Sequence, residues 1–430
     1  MPEASQIIAA LDSPAAAKVL ASIYGDGPAG LERQRERYRG LVRRFTGFFP
    51  QAKDILLFSA SGRTEVGGNH TDHNAGRVLA AAVNLDLIAA VSKTDHLLIT
   101  IHSEGYLSST IDLNELGVFE SEKYTFTSLV RGVCARFVQL GYTIGGFDAC
   151  MTSDVLKGSG LSSSASFEVL VAKVLNDLYN QERIDPITLA KVGQFAENRY
   201  FGKPSGLMDQ TTSSVGGFVT IDFKDANNPV VKKVNFDFAA SGLSLVIVDT
   251  GGNHADLNDE YAGIANEMKS VAHALGGKVM RDFTAADVMK NLPFLRTKVN
   301  DRAVLRAFHF LDDDLRVVDE VDALEHNDTA RFLSLVVESG YSSWMLLQNC
   351  YSVKDYGAQG LCVALAVSER LLKGRGAWRV HGGGFAGTIR AFVPADLLDI
   401  YVNPMRAIFG AKSCYILSIR QVGATRVDIG

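Results

Sequence analysis

A glycine- and hydroxyl-rich loop that runs directly into an amphipathic helix is the most restrictive feature of this chain. The loop occupies residues 157–166 (KGSGLSSSAS), and from 165 to 179 apolar residues recur at the i, i+3, i+4, i+7 spacing of one helix face. Glycines let backbone N–H groups approach an anion, and a helix N-terminus adds unpaired donors and a favourable dipole. The segment therefore predicts a polyphosphate cradle, with a serine-capped helix start as the structural alternative.

The better-known glycine patterns do not account for this loop. No G-x-x-x-x-G-K-[ST] sequence occurs in the chain, so the loop is not a P-loop. A formal G-x-G-x-x-G at 382–387 is followed by a strand-like run at 388–393, and too little chain remains for a βαβ unit, which disfavours a Rossmann oxidoreductase. The HGGG run at 381–384 imitates an esterase oxyanion loop, but no G-x-S-x-G nucleophile turn accompanies it.

Charge and cysteine content restrict the partners and the compartment. The 43 Lys and Arg against 48 Asp and Glu give a net charge of −5, which leaves no cationic excess for a nucleic-acid backbone. The arginine-rich stretch at 33–44 is interrupted by acidic and apolar residues, which favours the solvated face of a helix over a phosphate-binding patch. Five scattered cysteines without a C-x-x-C pair favour the reducing cytosol, and no export signal or membrane span is recognisable.

The pattern of apolar residues predicts two α+β domains, 1–240 and 241–430. Helical spacing dominates residues 7–45, and a polar loop is predicted from 61 to 76. Strands are predicted at 55–60, 78–91, 97–102, 143–151, 218–223 and 245–248, of which those at 78–91, 97–102 and 143–151 are assigned to one sheet. Long helices are predicted at 259–275, 301–312, 315–338 and 357–373.

The polar loop at 61–76 concentrates side chains that bind small ligands. Its His70, Asp72 and His73 have the residue types of metal ligands, but a polar loop with satisfied hydrogen bonds is the more common outcome. Sugar binding is a third interpretation, because neighbouring hydroxyls are best recognised by short carboxylate, amide and imidazole groups on a stiff loop.

Two carboxylates downstream are candidates for catalytic work. Asp209 lies in a glycine-bearing turn (GLMDQ, 206–210), and Glu197 lies 12 residues earlier in a segment with helical character. One acid could hold Mg²⁺ while the other faces a substrate hydroxyl. The structural alternative is two unrelated polar residues on different elements.

Taken together, these four segments resemble the galactokinases, within the GHMP superfamily of small-molecule kinases. The loop at 62–74 resembles the galactokinase sugar signature, 158–166 the ATP loop, 206–210 the segment with the catalytic aspartate, and 381–388 the third glycine motif. The resemblance implies a two-domain α+β GHMP kinase fold, with an N-terminal domain like ribosomal protein S5 domain 2 and the active site in the cleft between the domains. It also implies ATP and Mg²⁺ as cofactors and phosphorylation of the C1 hydroxyl of galactose.

The resemblance assigns roles to individual residues. It implies that Arg63 assists near the reacting hydroxyl and the phosphoryl group, and that Asp209 is the catalytic acid. It implies that Ser164 and Glu197 are the Mg²⁺ ligands. The implied sugar contacts are Asn69, His70, Asp72, Gly206 and Tyr261. The implied phosphate loop residues are Gly158, Gly160, Ser162, Ser163 and Ser164.

Three features depart from the family pattern, and one of them is His73, which stands where the family usually has a tyrosine. Asn69 replaces a glutamate, so an amide stands where a carboxylate is expected to bind a sugar hydroxyl near C6. Tyr261 keeps the family's Glu-Tyr pair but lacks the arginines that usually follow it. Alternative functions are therefore a kinase for a related sugar, such as galacturonate, arabinose or an amino sugar, and a non-catalytic galactose and ATP sensor. We expect a cytoplasmic monomer or weak homo-oligomer with small-molecule partners and neither nucleic-acid nor membrane partners.

Overall fold

The computed structural model describes residues 2–25, 27–155, 162–203, 205–225, 228–252 and 257–429 of the chain. The helices are α1 Pro2–Ala10, α2 Pro14–Tyr24, α3 Pro28–Phe48, α4 Phe126–Gln139, α5 Ser163–Asn180, α6 Pro186–Ala196, α7 Met208–Val215, α8 Asn258–Ala274, α9 Ala285–Lys298, α10 Asp301–Glu325, α11 Thr329–Ser342, α12 Gly360–Leu372 and α13 Leu398–Phe409. The strands are β1 Leu56–Gly67, β2 Arg77–Lys93, β3 Leu98–Ser103, β4 Ser109–Asp112, β5 Phe147–Ser153, β6 Phe218–Asp222, β7 Val230–Val234, β8 Leu243–Asp249, β9 Ala377–Val380, β10 Thr388–Pro394, β11 Cys414–Leu417 and β12 Thr425–Arg426.

The first sheet is built around the 17-residue strand β2. Its main strand order is β12-β1-β2-β5-β3-β4, and β6 and β7 attach to the other end of β2. Only β3 and β5 pair in parallel, and the other neighbours are antiparallel. Because side chains alternate between the two faces of a strand, Leu87 and Ala89 pack towards α4–α6 while Ile88 and Ala90 pack towards α1–α3.

The second sheet has the order β11-β8-β10-β9 and is antiparallel throughout. One face packs on α12 and α13. The other face joins α10, α11 and residues of β1, β2 and β6 in a shared apolar core that contains Val66, Leu79, Ile247 and Phe332. This shared core holds residues 62–74 against the second half of the chain. We call these residues the sugar loop, after the signature that they resemble.

Most of the predicted elements are confirmed, and the errors concern the bounds of two elements and several missed helices. The strands predicted at 78–91, 97–102 and 143–151 do share one sheet. The loop predicted from residue 61 is wrong up to Gly67, because β1 continues through buried polar residues such as Thr64 and Glu65, whose partners lie elsewhere in the chain. The predicted break at 312–315 is also wrong, because α10 runs on to Glu325. Helices α4, α7, α9 and α13 were not predicted, and the predicted turn around Asp209 is the start of α7.

A buried charge cluster ties the N-terminal helices and the C-terminal segment to the first sheet. Asp86 on β2 is fully buried and forms ion pairs with Arg37 (2.9 Å) and Arg420 (3.2 Å). It also accepts hydrogen bonds from Tyr24 Oη (2.5 Å) and Ser59 Oγ. Burial opposes ionisation of Asp86, but the two guanidinium groups and these hydrogen bonds outweigh it, and its pKa lies below the usual aspartate value.

Candidate active site

Arg63 and Asp209 form a two-point ion pair although 146 residues separate them in sequence. Arg63 lies on β1 and Asp209 in the first turn of α7. The guanidinium Nε donates to Asp209 Oδ1 and Nη2 to Oδ2, both at 2.6 Å. The structure therefore brings the two predicted catalytic residues together in the bidentate geometry that arginine and carboxylate groups favour.

The electrostatics keep Asp209 ionised. Burial opposes ionisation, but the Arg63 charge and hydrogen bonds from Arg63 and Ser162 outweigh it, and the pKa of Asp209 is lowered. Ser162 precedes α5 in a left-handed conformation (φ 55°), which turns its hydroxyl towards Asp209. The end of the predicted phosphate loop thus touches the predicted catalytic acid. Gly158 and Gly160 lie outside the described residues.

The lowered pKa of Asp209 predicts that this carboxylate stays ionised throughout the mildly acidic range. We expect it to take up a proton only at pH values below the ordinary aspartate pKa of about 3.9. Carbon-13 NMR of the aspartate carboxyl groups between pH 4.5 and 8 measures this titration, with Asp209→Asn to assign the signal and near-UV circular dichroism to verify that the protein remains folded. A titration of the Asp209 signal between pH 5 and 7 would contradict this prediction.

Ser164 and Glu197, the predicted metal ligands, are in direct contact. Ser164 Oγ in the first turn of α5 donates to Glu197 Oε1 at 2.9 Å. Glu197 begins a single π-helical turn, Glu197–Phe201, that follows α6, and its side chain is only 2% exposed. Gln210 Nε2 donates to Glu197 Oε2 at 2.8 Å, and Lys203 Nζ lies 3.3 Å from Oε1.

This oxygen pair suits a hard divalent cation. Mg²⁺ takes few protein ligands, mostly hydroxyl and carboxylate oxygens, and completes its shell with phosphate oxygens and water. Behind Glu197, the buried Glu168 accepts from Gln210 Nε2 at 3.0 Å, and its Oε1 finds no hydrogen-bond partner among the described residues. Burial and the nearby Glu197 raise the pKa of Glu168 well above the usual value. Within the described ranges, no group of three or more His, Cys, Asp or Glu side chains is arranged to hold a metal, including the candidates in the sugar loop.

The sugar loop approaches two other segments. One is the start of α7, and the other is residues 381–388, which we call the glycine loop. A Cβ built on Gly206 would lie 3.0 Å from Asp72 Oδ2, which places these two predicted sugar contacts side by side. His70 Nε2 lies 2.9 Å from Gly383 O and donates to it, since a carbonyl oxygen only accepts. Burial, together with the neighbouring His73, lowers the pKa of His70 to about 3, so this imidazole is neutral at physiological pH.

Tyr261 on α8 lies against the same glycine loop. Its hydroxyl donates to Gly384 O at 3.1 Å. A Cβ built on Gly383 would lie 2.4 Å from Tyr261 Cε1, so only glycine lets the ring lie this close. Four of the five predicted sugar contacts, His70, Asp72, Gly206 and Tyr261, are therefore connected through direct neighbours. Their contacts with a sugar remain a prediction.

Asn69, the fifth predicted sugar contact, has its side-chain amide fully engaged by the protein. The fully buried side chain donates through Nδ2 to Glu65 Oε1 (2.9 Å) and to Gly382 O (2.8 Å). Its Oδ1 accepts from Ser343 Oγ (3.2 Å) and Asn349 Nδ2 (2.9 Å). Two donor hydrogens and two acceptor sites are the whole capacity of an amide. In this conformation Asn69 joins the sugar loop to the glycine loop.

Gly384 is a position at which the glycine loop tolerates no side chain. Its φ is 80°, and an added Cβ would lie 2.1 Å from Asn349 O, a backbone atom that cannot move aside cheaply. We expect Gly384→Ala to lower the free energy of unfolding by about 2 kcal/mol or more. The matched control is Gly374→Ala, at the same backbone angle (φ 79°), where no described atom lies within 4 Å of an added Cβ. Urea denaturation measures both variants, and equal losses would contradict the close contact at Gly384.

A cavity of about 860 Å³ borders Ser163 and Ser164, and its lining, among the described residues, contains no residue of the segment 61–76. Its aromatic wall is formed by Tyr106, Tyr124, Phe126, Phe167 and Phe201. The rings pack edge to face, with centroids 5.8 Å apart for Tyr106 and Phe126 and 5.6 Å apart for Tyr124 and Phe201. A cavity of this size, with one aromatic wall beside the predicted phosphate loop, suits the base of a nucleotide.

Several residues of the site were not found from the sequence. The aromatic wall comes from separate segments with no common spacing, so only the fold assembles it. His309 on α10 is buried, and its Nε2 lies 2.9 Å from Asn69 O, so it supports the sugar loop from the second half of the chain. Gln210 follows Asp209 directly in the GLMDQ motif at 206–210. This position was the one feature of the sequence that could have indicated its contact with Glu197.

Comparison with known proteins agrees with this arrangement. The galactokinase galactose-binding signature matches residues 43–93, and the GHMP kinases N terminal domain matches residues 128–217. A galactokinase of Streptomyces coelicolor is 31% identical over 358 residues, which cover 83% of this chain and 89% of that protein. A galactokinase of Glaesserella parasuis is 30% identical over 375 residues, which cover 83% of this chain and 89% of its own length.

A solved structure has the same fold. The crystal structure of Lactococcus lactis galactokinase complexed with galactose matches with a TM-score of 0.77 at 21% identity, over 90% of this chain and 99% of that chain. The predicted two-domain α+β fold is confirmed by this match. On the sequence identity to curated relatives and the two matching family models, this chain belongs to the galactokinase family of GHMP kinases and is a sugar kinase.

Proposed function

We propose that this protein transfers the γ-phosphoryl group of ATP to the anomeric C1 hydroxyl of galactose, giving galactose 1-phosphate and ADP. The observation that supports this function is the Arg63–Asp209 ion pair, which joins the segment at 62–74 to α7 and contacts Ser162 of the predicted phosphate loop. Phosphoryl transfer depends mostly on positioning and charge stabilisation, and this arrangement supplies both. The adenine base would occupy the aromatic cavity beside Ser163 and Ser164.

Each residue of the site has a chemical task in this reaction. Asp209 orients the C1 hydroxyl and accepts its proton, while Arg63 stabilises the negative charge that develops on the transferred group. Because Arg63 holds the pKa of Asp209 low, Asp209 is a weak base, and it accepts the proton late, once the new P–O bond has made that oxygen acidic. Ser164 and Glu197 would hold Mg²⁺, which neutralises phosphate charge when bound.

The sugar specificity is tested by ADP release across a panel of sugars. The panel contains galactose, glucose, arabinose, galacturonate and galactosamine, with ATP and Mg²⁺ in excess. We expect kcat/KM for galactose to exceed that for every other sugar by at least tenfold. Absence of ADP release with all five sugars would contradict the proposed reaction and would favour the non-catalytic sensor.

A related sugar is the second candidate substrate, and Asn69 is the observation that favours it. An amide replaces the carboxylate that the family uses near C6, and all of its hydrogen bonds go to protein groups. A site without that carboxylate would tolerate a changed C6, as in galacturonate or arabinose. A kcat/KM for either sugar above that for galactose would establish this candidate.

The remaining features of the proposal concern domains and surroundings. We keep a division at residues 1–240 and 241–430, which lies between β7 and β8, although β12 returns from the second part to pair with β1. We also propose a cytoplasmic monomer or weak homo-oligomer that acts without nucleic acid or membrane partners. In the part of the chain that the structure describes, no single helix is long and apolar enough to cross a membrane, and only the pair α1 and α2, bent by 71°, passes such a test together. Sedimentation velocity would measure the oligomeric state.

A further inference from the structure

A lysine ammonium lies at the carboxylate that we propose as a Mg²⁺ ligand. Lys203 Nζ is 3.3 Å from Glu197 Oε1, the same oxygen that accepts from Ser164 Oγ at 2.9 Å. The Lys203 side chain is 59% exposed, whereas that of Glu197 is 2% exposed. Lys203 therefore reaches into the site from solvent and can withdraw without disturbing buried packing.

The second oxygen of Glu197 is engaged from the protein interior. Oε2 accepts from Gln210 Nε2 at 2.8 Å, and the same amide nitrogen is held by Glu168 Oε2 at 3.0 Å. This buried arrangement leaves Oε1 as the oxygen that faces the cleft. A divalent ion bound by Ser164 and Glu197 would use Oε1, so the ion and the Lys203 ammonium compete for one atom.

The charge of Lys203 also acts on the predicted catalytic acid. Burial and Arg63 dominate the pKa of Asp209, but the Lys203 charge also lowers it, so Lys203 acts electrostatically on the catalytic acid. Its ion pair with Glu197 is largely solvent-exposed on the lysine side, and such pairs contribute little stability, so breaking it costs little. The groups that attract an ammonium in this region are the phosphate oxygens that arrive with the metal.

We propose that Lys203 is a phosphate-binding cation: it pairs with Glu197 in the metal-free protein and contacts the terminal phosphates of the nucleotide once the divalent ion has displaced it. This inference rests on the proposed function, because it needs a nucleotide triphosphate at the site. It predicts that one side chain opposes the binding of free metal and favours the binding of the metal–nucleotide complex.

The two opposite effects are measured on Lys203→Gln without any sugar present. Electron paramagnetic resonance with Mn²⁺ alone measures metal affinity, and calorimetry with a non-hydrolysable ATP analogue and Mg²⁺ measures nucleotide affinity. We expect the Kd of Mn²⁺ to fall at least threefold, because the competing ammonium is gone. We expect the Kd of the analogue to rise about tenfold, because a charge-assisted hydrogen bond is lost.

Two further variants test whether the effects depend on a cation at position 203 or on the net charge of the protein. Lys203→Arg keeps a cation and should bind the analogue more tightly than Lys203→Gln does. Lys224→Gln removes the same charge from an exposed position after β6 and should change neither Kd by more than twofold. A general loss of structure in Lys203→Gln would weaken both ligands.

The proposal is overturned if Lys203→Gln weakens both ligands, or leaves either Kd within twofold of wild type. Equal analogue binding by the arginine and glutamine variants would also overturn it. These measurements do not involve sugar, so a failure of the wild-type protein to phosphorylate galactose would contradict the proposed function and not the role of Lys203 in nucleotide binding.

Discussion

Replacing Asp209 with asparagine is expected to lower kcat about 10³-fold while galactose binding changes by less than threefold. An asparagine amide cannot accept the proton of the C1 hydroxyl, and general acid–base contributions are typically 10²–10⁴-fold. The substitution also leaves the Arg63 guanidinium without the carboxylate that positions both of its bonded nitrogens. ADP release measures kcat, and calorimetry with galactose alone measures binding.

The matched control for this variant is Asp222→Asn. Asp222 has a similar side-chain exposure (27% against 24%) and also pairs with an arginine, Arg77, but it lies at the end of β6 and is not part of the candidate site. We expect its kcat within threefold of wild type. If Asp209→Asn keeps more than a tenth of the wild-type kcat, Asp209 does not have the catalytic role proposed for it.

Replacing Asp86 with asparagine is expected to lower the free energy of unfolding by about 3–5 kcal/mol. Asp86 and Arg420 are both fully buried, so the variant leaves the Arg420 guanidinium in the protein interior without its counter-charge. Arg37 loses one of its two carboxylate partners and keeps Asp154 (3.1 Å), which weakens the attachment of α3 to the first sheet. Urea denaturation at pH 7, followed by circular dichroism, measures the loss.

The pH dependence of the free energy of unfolding tests whether the Asp86 charge causes this loss of stability. The pKa of Asp86 is lowered in the folded protein, so its contribution is fully present above the unfolded aspartate pKa of about 3.9 and is lost as the pH falls through the lower folded value. The difference between wild type and variant should therefore shrink only below about pH 4. The control Glu32→Gln removes a carboxylate that pairs with Arg35 and Arg39 at the surface and should leave the unfolding midpoint unchanged. If Asp86→Asn lowers the free energy of unfolding by less than 1 kcal/mol at pH 7, the Asp86 ion pairs do not stabilise the fold as proposed.

The secondary structure that could be predicted is the part specified by local patterns. Strand β2 and helix α5 carry long apolar runs whose period matches one element, and both were found within two residues. The second half of β1 was missed because Thr64 and Glu65 are polar and buried. Glu65 is stabilised there by an ion pair with Arg379, which lies 314 residues away, and no local pattern reveals such a partner.

The candidate site could also be predicted only in part: its residue types could be predicted, and most of their contacts could not. The residue types of the site, an arginine, an acid, a serine loop and a second acid, stand in motifs that can be found without coordinates. The engagement of Asn69 by Glu65, Gly382 and Asn349 could not be predicted, because it depends on how the two halves of the chain meet. The competition between Lys203 and a cation at Glu197 likewise depends on a distance of 3.3 Å that the 6-residue separation does not specify.

The amino-acid sequence alone determined the family, the main elements and the chemical groups of the site, because periodicity and short motifs are encoded by neighbouring residues. The tertiary structure alone decided which of those groups meet. The Arg63–Asp209 pair, the aromatic cavity and the burial of Asn69 each combine segments far apart in the chain. Such contacts follow from the packing of two sheets and their helices around shared cores, and the positions of their atoms are set by that packing rather than by any local run of residues.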